Sequence, residues 1–166
     1  MTPQKTTMWS SFFGQKNRKR DTLLFLGTVP LFASLTKREL ATVHAIAHHR
    51  IYQEDEFIFR KGQPGAAMFV VKSGMVNIVD HDRDNQANIL STLDDNSFFG
   101  ELALLDDSPR SASAVAARST ETFAFFRTDL ERLLNSFPQI GHKVYRALAM
   151  IIGKRLKETN EQLLNK

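Results

Sequence analysis

Cysteine is absent from the 166 residues, and with it go disulfide scaffolds, thiolate zinc sites, iron–sulfur clusters and thiol nucleophiles. That absence fits a reducing compartment. No run approaches the roughly 18 consecutive apolar residues that a membrane-spanning helix needs, and Met1 to Gln15 lacks the charged-then-apolar order of a secretory signal. A soluble, cytoplasmic protein is the expectation. Internal repeats and low-complexity tracts are missing as well. What is present, 42% hydrophobic and 24% charged residues, suffices for one domain with a real core and short appendages.

The formal charge of +4 would point to an anionic partner if it were spread over the chain. It is not. Residues 1–20 hold Lys5, Lys16, Arg18, Lys19 and Arg20 and no acid, leaving 17 basic against 18 acidic side chains elsewhere. The chain therefore divides into a basic, aromatic N-terminal tail, residues 1–20, and a nearly neutral domain, residues 21–166. In the tail, Trp9, Phe12 and Phe13 stand at i, i+3, i+4 and would share one side of a short helix. They would dock on the protein's own domain, on a protein partner or, with Lys16 to Arg20, on an anionic membrane.

Past Asp21 a helical stretch, Leu23 to Gly27, leads into Val29-Pro30-Leu31-Phe32. Thr36-Lys37-Arg38-Glu39 is a capping box that opens a second helix, expected to run to about His48 with Leu40, Val43, Ile46 and Ala47 on its apolar face. From about 50 to 127, turn signals at Gly62-Gln63-Pro64-Gly65, Ser73-Gly74, Asp82-Arg83-Asp84-Asn85 and Asp94-Asp95-Asn96 separate short apolar runs. These are Phe57-Ile58-Phe59, Met68-Phe69-Val70-Val71, Val76-Asn77-Ile78-Val79, Asn88-Ile89-Leu90, Ser113-Ala114-Val115 and Thr122 to Phe126. Six to eight short, evenly spaced strands describe a small antiparallel roll or barrel. Helices return over about 128–164: Thr128-Asp129-Leu130-Glu131 is a start signal, Phe137-Pro138 a break, and Gln139 to about Leu164 one long helix. On it Tyr145, Ala149, Ile152, Leu156, Thr159 and Leu163 follow coiled-coil spacing, which either pairs two copies or packs back on the roll.

One segment carries chemistry, Phe99-Gly100-Glu101-Leu102-Ala103-Leu104-Leu105 with Asp106-Asp107-Ser108-Pro109-Arg110-Ser111-Ala112. Gly100 lets the backbone turn close to a ligand. Glu101 to Leu105 can form one helical turn whose leading amides, near Leu102 and Ala103, face an anion. Small Ala103 keeps the approach open. Pro109 fixes the entry to Arg110, whose planar fork can hold a phosphate through two parallel bonds. Glu101 would repel a phosphate but accepts a hydrogen bond from a sugar hydroxyl, so acid and arginine together suit a ribose phosphate. A single arginine with no Gly-rich Lys-Ser/Thr loop suits one negative charge, as on a cyclic phosphodiester, better than a triphosphate.

The run Phe99 to Ala112 resembles the phosphate-binding cassette of the cyclic nucleotide-binding domain family, shared by catabolite-activator transcription factors, protein kinase A regulatory subunits and nucleotide-gated channels. Val29-Pro30-Leu31-Phe32, Leu35, Glu39-Leu40, Phe57-Ile58-Phe59, Gly62, Gly65, Met68 to Val71 and Ser73-Gly74 extend the likeness over roughly residues 24–164. The resemblance implies an α+β fold: an eight-stranded antiparallel, jelly-roll-like β-roll with N-terminal helices and a C-terminal two-helix lid. It implies that Arg110 binds the cyclic phosphate and Glu101 the ribose 2′-hydroxyl, with Phe99, Gly100, Leu102, Ala103, Ser111 and Ala112 lining the pocket. Serine at 111 leaves the base open, with cyclic AMP preferred to cyclic GMP as the ligand. Asp55 stands where the family usually has glycine, a position aspartate tolerates. Ala66 replaces a common acid and Ala114 a common valine.

His44 and His48 lie four apart but lack a third ligand and the glutamate of a hydrolytic zinc site, so no metal is expected. No nucleophile, base and acid stand in a catalytic order, and an enzyme is not expected. The expected protein is a cyclic mononucleotide sensor that repositions its C-terminal helices to control a partner protein. Tyr145, Arg146 and the apolar positions up to Leu156 are candidates to cover the base. Direct DNA binding is not expected, because no helix-turn-helix follows the long helix before Lys166. The alternative is a structural or membrane adaptor with a vestigial pocket or one that reads cyclic di-GMP.

Overall fold

The computed structural model describes residues 19–81 and 87–164. The aromatic cluster Trp9, Phe12 and Phe13, Lys16 and Arg18 of the tail, and the expected turn at Asp82 to Asn85 lie outside the described residues. Within the described residues helix α1 covers 19–28; a series of turns through Val29, Leu31 and Phe32, all fully buried, leads to α2, Lys37–His44. Its capping box is intact: Glu39 N–H donates to Thr36 Oγ1 and Thr36 N–H to the Glu39 carboxylate, at 3.3 and 2.7 Å. The helix stops at His44, earlier than the expected His48, because residues 48–52 pair with another strand. Backbone pairing across a sheet overrides the helical stripe.

Eight strands follow: β1 His48–Tyr52, β2 Phe57–Phe59, β3 Ala67–Ser73, β4 Val76–His81, β5 Ala87–Leu93, β6 Phe98–Phe99, β7 Ser113–Ala116 and β8 Thr120–Phe126. They form two antiparallel four-stranded sheets, in the order β1-β8-β3-β6 and β2-β7-β4-β5. The expected β-roll is the observed one. β1 and β6 are strands that the sequence pattern did not show. The unbroken apolar run of β3 reflects its place between β8 and β6, with both faces covered. Met68 and Val70 face the helices with Phe123 and Phe125, whereas Phe69 and Val71 face the second sheet with Phe99 and Ala124. Asp55 adopts φ 65°, the left-handed conformation expected of an aspartate in a glycine's place.

β8 runs directly into α3, Arg127–Ser136. Phe126 caps it without a side-chain bond, so the Thr128 start signal lies inside the helix rather than at its cap. Pro138 then opens α4, Pro138–Leu164. Ile140, Val144 and Leu148 of α4 are buried in the helical core, whereas Tyr145, Leu156 and Leu163 of the expected seam stay exposed. The face that packs on the helical core is centred on Ile140, Val144 and Leu148, and of the coiled-coil stripe Ile152 alone packs against that core. Lys143 of α4 donates to both carboxylate oxygens of Glu39 on α2 at 2.8 Å. That ammonium and the Thr36 N–H hold the Glu39 carboxyl below its ordinary value.

Phe125 is fully buried with its ring 5.3 Å from that of Phe32, so Phe125→Ala is expected to cost about 3–5 kcal/mol in urea unfolding. Because the Glu39 pKa is depressed in the folded state, its contribution is present above the unfolded carboxyl pKa and is lost as pH falls through the folded one. Lys143→Met is therefore expected to flatten the fall in unfolding midpoint between about pH 5 and about pH 3.

Candidate ligand-binding site

Between β6 and β7 the chain leaves the sheets and returns, and this excursion walls a cavity of about 560 Å³. Phe99, Gly100, Glu101, Leu102, Ala103, Arg110, Ser111 and Ala112, the eight residues singled out from the sequence, all line it. Gly100 takes φ 72° and opens a 3-10 turn, Glu101–Leu104. The turn is tighter than an α-helix, and this changes which amides it offers. Ala103 N–H is taken by the Gly100 carbonyl at 3.2 Å, so the amides expected to face an anion shift from Leu102 and Ala103 to Glu101 and Leu102. In i to i+3 bonding those two have no acceptor within the turn.

Arg110 is the centre of the site. Its backbone is pinned by the turn at Gly62 to Pro64: Arg110 N–H donates to the Gln63 carbonyl, and Gly62 N–H to the Arg110 carbonyl, both at 2.8 Å. The residue is 9% exposed. Nη1 donates to the Gly100 carbonyl at 3.1 Å and Nη2 to the Ala67 carbonyl at 2.6 Å. The guanidinium lies 4.0 Å from the centroid of the Phe59 ring, which itself packs on Phe69 and Phe99 at 5.9 Å. Nε is buried and has no hydrogen-bond partner among the described residues. Of the five N–H groups two are committed to carbonyls, leaving Nε–H and one on each Nη. Two carbonyls and a ring thus fix the fork while leaving donors of the kind a phosphate accepts. Desolvation lowers the Arg110 pKa from its ordinary value, and the Glu101 charge opposes that shift.

Glu101, 12% exposed, accepts from Arg155 Nη1 at 2.6 Å. Arg155 Nη2 donates to the Phe98 carbonyl at 3.2 Å, and its guanidinium lies 4.8 Å from the Phe98 ring centroid. Arg155, Glu158 and Thr159 of α4 complete the cavity wall. Tyr145 and Arg146, proposed above to cover the base, do not line it. The signal was the i, i+3, i+4 spacing of Arg155, Glu158 and Thr159, with a threonine interrupting an otherwise apolar stripe. Phe59, Ile78, Ser91 and Leu93 supply wall from the roll; as strand residues they carried no separate mark in the sequence.

A second arginine ties the excursion to the helices. Arg127, first residue of α3, donates from Nη1 to the Asp106 carbonyl at 2.6 Å and from Nη2 to the Asp107 carboxylate. Its backbone N–H bonds the Ala66 carbonyl, next to the Ala67 carbonyl that holds Arg110. His48, weighed as a metal ligand, pairs instead with Asp129. Among the described residues no three His, Cys, Asp or Glu side chains gather as a metal site, and no helix is long and apolar enough to cross a membrane.

Two sheets rolled around a pocket with one anchored arginine define a small-ligand-binding domain. The chain belongs to the cyclic nucleotide-binding domain family, whose model matches residues 49–137, from β1 through α3. It is similar to the cyclic AMP receptor protein of Thermus thermophilus, 35% identical over 81% of this chain and 60% of that protein. Among solved structures, the Thermus thermophilus catabolite activator protein superposes with a TM-score of 0.72 at 35% identity, over 81% of this chain and 61% of that one. The N-terminal domain of a transcriptional regulator from Streptomyces coelicolor A3(2) gives 0.72 at 29% identity, over 84% of this chain and 94% of that one. The chain thus spans about three fifths of the Thermus receptor's length.

Gly100 tests the geometry directly. A Cβ there would lie 2.6 Å from Arg110 Nη1, in a backbone conformation that strains an L-residue. Gly100→Ala is expected to lower stability by about 1–3 kcal/mol and to shift the Arg110 Nε–H resonance in the NMR spectrum. An unmoved resonance would mean that Gly100 does not set the guanidinium's position.

Proposed function

We propose that this protein is a non-enzymatic regulatory sensor that binds a cyclic mononucleotide, cyclic AMP in preference to cyclic GMP, and repositions α4 to control a partner. The carrying observation is the buried Arg110 guanidinium, held by two backbone carbonyls beside Glu101, with an Nε donor that has no partner among the described residues. An orphaned buried donor costs on the order of 1–3 kcal/mol, a cost that a phosphate oxygen would remove. One arginine matches the single charge of a cyclic phosphodiester, and Glu101, bonded to Arg155 through Oε1, retains acceptor capacity for a ribose hydroxyl. Phe59, Ile78 and Leu93 give the base an apolar wall. The preference for cyclic AMP draws on the similarity to the Thermus thermophilus cyclic AMP receptor protein; Ser111 leaves the base open.

The output is read from α4. Its Arg155 bonds one oxygen of Glu101, the residue assigned to the ribose, so ligand and helix share that carboxylate, and a contact that differs between the free and bound states links occupancy to helix position. The exposed stripe of Tyr145, Leu156 and Leu163 supports a second copy of this chain as one partner. Cyclic di-GMP remains the competing ligand: the sequence 23% identical to a cyclic di-GMP-responsive regulator of Xanthomonas campestris shares its fold.

Calorimetric titration with cyclic AMP, cyclic GMP and cyclic di-GMP tests the reading. Cyclic AMP is expected to bind tightest, and Arg110→Ala to weaken it at least about 100-fold, the loss of two charge-assisted bonds. Absence of heat with all three would overturn the sensor reading. Unchanged affinity in Arg110→Ala would move the site elsewhere.

A further inference from the structure

Helix α1 covers only part of the sheet it lies on. Its Phe25 ring stands 6.0 Å from that of Phe123 on β8, and the His49 ring of β1 flanks Phe123 at 5.5 Å. Two residues further along β1, Ile51 stands opposite Glu121 of β8. Alternation along a strand puts His49 and Ile51 on one face, yet Ile51 is 61% exposed. The Glu121 carboxylate engages both His49 and Lys72, so the polar groups beside Ile51 have partners while its apolar surface is left to water. β1 pairs with β8 alone, and among the described residues no strand covers its other edge. Folded proteins cover or blunt such edges.

The chain ahead of Lys19 suits this surface in attachment, reach and chemistry. Burial and then the Lys19 charge hold the His44 imidazole below its ordinary pKa, which brings Lys19 within electrostatic reach of the end of α2. From there one turn, closed by the Ala47 N–H on the His44 carbonyl, leads into β1. Phe13 lies six residues before Lys19, a reach of about 20 Å when extended, whereas Ile51 lies about 10 Å along the strand from His48. Trp9, Phe12 and Phe13 offer apolar surface, and Lys5 precedes them with no acid before Asp21. The turn that follows β1 carries Glu54, Asp55 and Glu56, all exposed. Read backward from Lys19, the order of rings then lysine matches the order along β1 of Ile51 then the acidic turn.

We infer that the N-terminal tail docks on its own domain along the open edge of β1, with the rings of Trp9, Phe12 and Phe13 covering Ile51 and Lys5 facing the turn at Glu54 to Glu56. The occupant of this surface is the same chain, not a membrane or a second copy.

Trp9 is the single tryptophan of the chain, so its fluorescence in the full chain reports the docking. Its emission is expected to lie to the blue of N-acetyltryptophanamide and to resist acrylamide quenching several-fold better, equally at every protein concentration. Ile51→Glu should abolish that shielding while the far-UV circular dichroism stays unchanged, and the milder Ile51→Ser should weaken it. Glu54→Lys should loosen the docking, and adding Lys5→Glu to it should restore the shielding by reversing both charges. Emission matching the free indole compound overturns the inference. Shielding that survives Ile51→Glu overturns it by placing the rings elsewhere, and failure of the charge swap to restore shielding overturns the assigned direction of the tail. Shielding that rises with protein concentration assigns the rings to a second copy, and shielding that appears only with phosphatidylglycerol vesicles assigns them to a membrane; either result overturns docking within the chain. No nucleotide enters these measurements, so their outcome is separate from that of the sensor reading.

Discussion

A cation taken out of water must be surrounded, and the binding end of this molecule is arranged around that requirement. Arg110 is nearly inaccessible, and its partners are two backbone carbonyls and an aromatic face rather than a carboxylate in direct contact. Carbonyls and a ring stabilise the guanidinium without neutralising it, so its charge stays available to an incoming anion. The elements that supply these partners come from far apart in the chain. Ala67 opens β3, Phe59 closes β2, and Gly100 follows β6, so both sheets must close before the arginine is held. Formation of the site is formation of the roll.

The same backbone connects the site to the helices. Adjacent carbonyls at the start of β3 serve the two arginines, Ala67 for Arg110 and Ala66 for the first amide of α3. Arg127 then reaches back to Asp106 and Asp107. A shift of the cassette therefore acts on α3 through directed bonds, and α3 packs on the inner half of α4. The outer half meets the cassette independently, through Arg155 and Glu101. Two contacts of different kinds join the cassette to α4, one through a packed helix and one through a partly exposed ion pair. The second is the weaker, because water competes for it.

Much of this was legible in residue types and spacing. The capping box at Thr36 and Glu39, the break at Pro138 and the turns at Gly62 and Gly74 are local signals, and each formed where local chemistry placed it. The cassette was legible because its constraints are also local: a glycine with positive φ, a short turn, and a proline before an arginine. What was hidden had non-local causes. β1 follows the helical stripe of α2 with no strand pattern of its own and became a strand because β8 offers it a ladder. β6 is two residues long and has no pattern of its own. Arg155 and Thr159 lie more than fifty residues from Glu101 in the chain, and a spacing rule on one helix does not say what that helix faces. The coiled-coil stripe was present as read, yet a different face, Ile140, Val144 and Leu148, entered the core.

Composition and order alone thus determined a cysteine-free, nearly neutral domain, its β-roll class, and the eight residues between Phe99 and Ala112 that line one side of the pocket, since those follow from side-chain chemistry and short-range backbone constraints. Only the tertiary structure decided how the arginine is held, which amides the 3-10 turn presents, and that α4 both belongs to the core and closes the cavity. Those outcomes depend on which groups are left without partners when two sheets and four helices pack together, and that is settled by the whole fold at once.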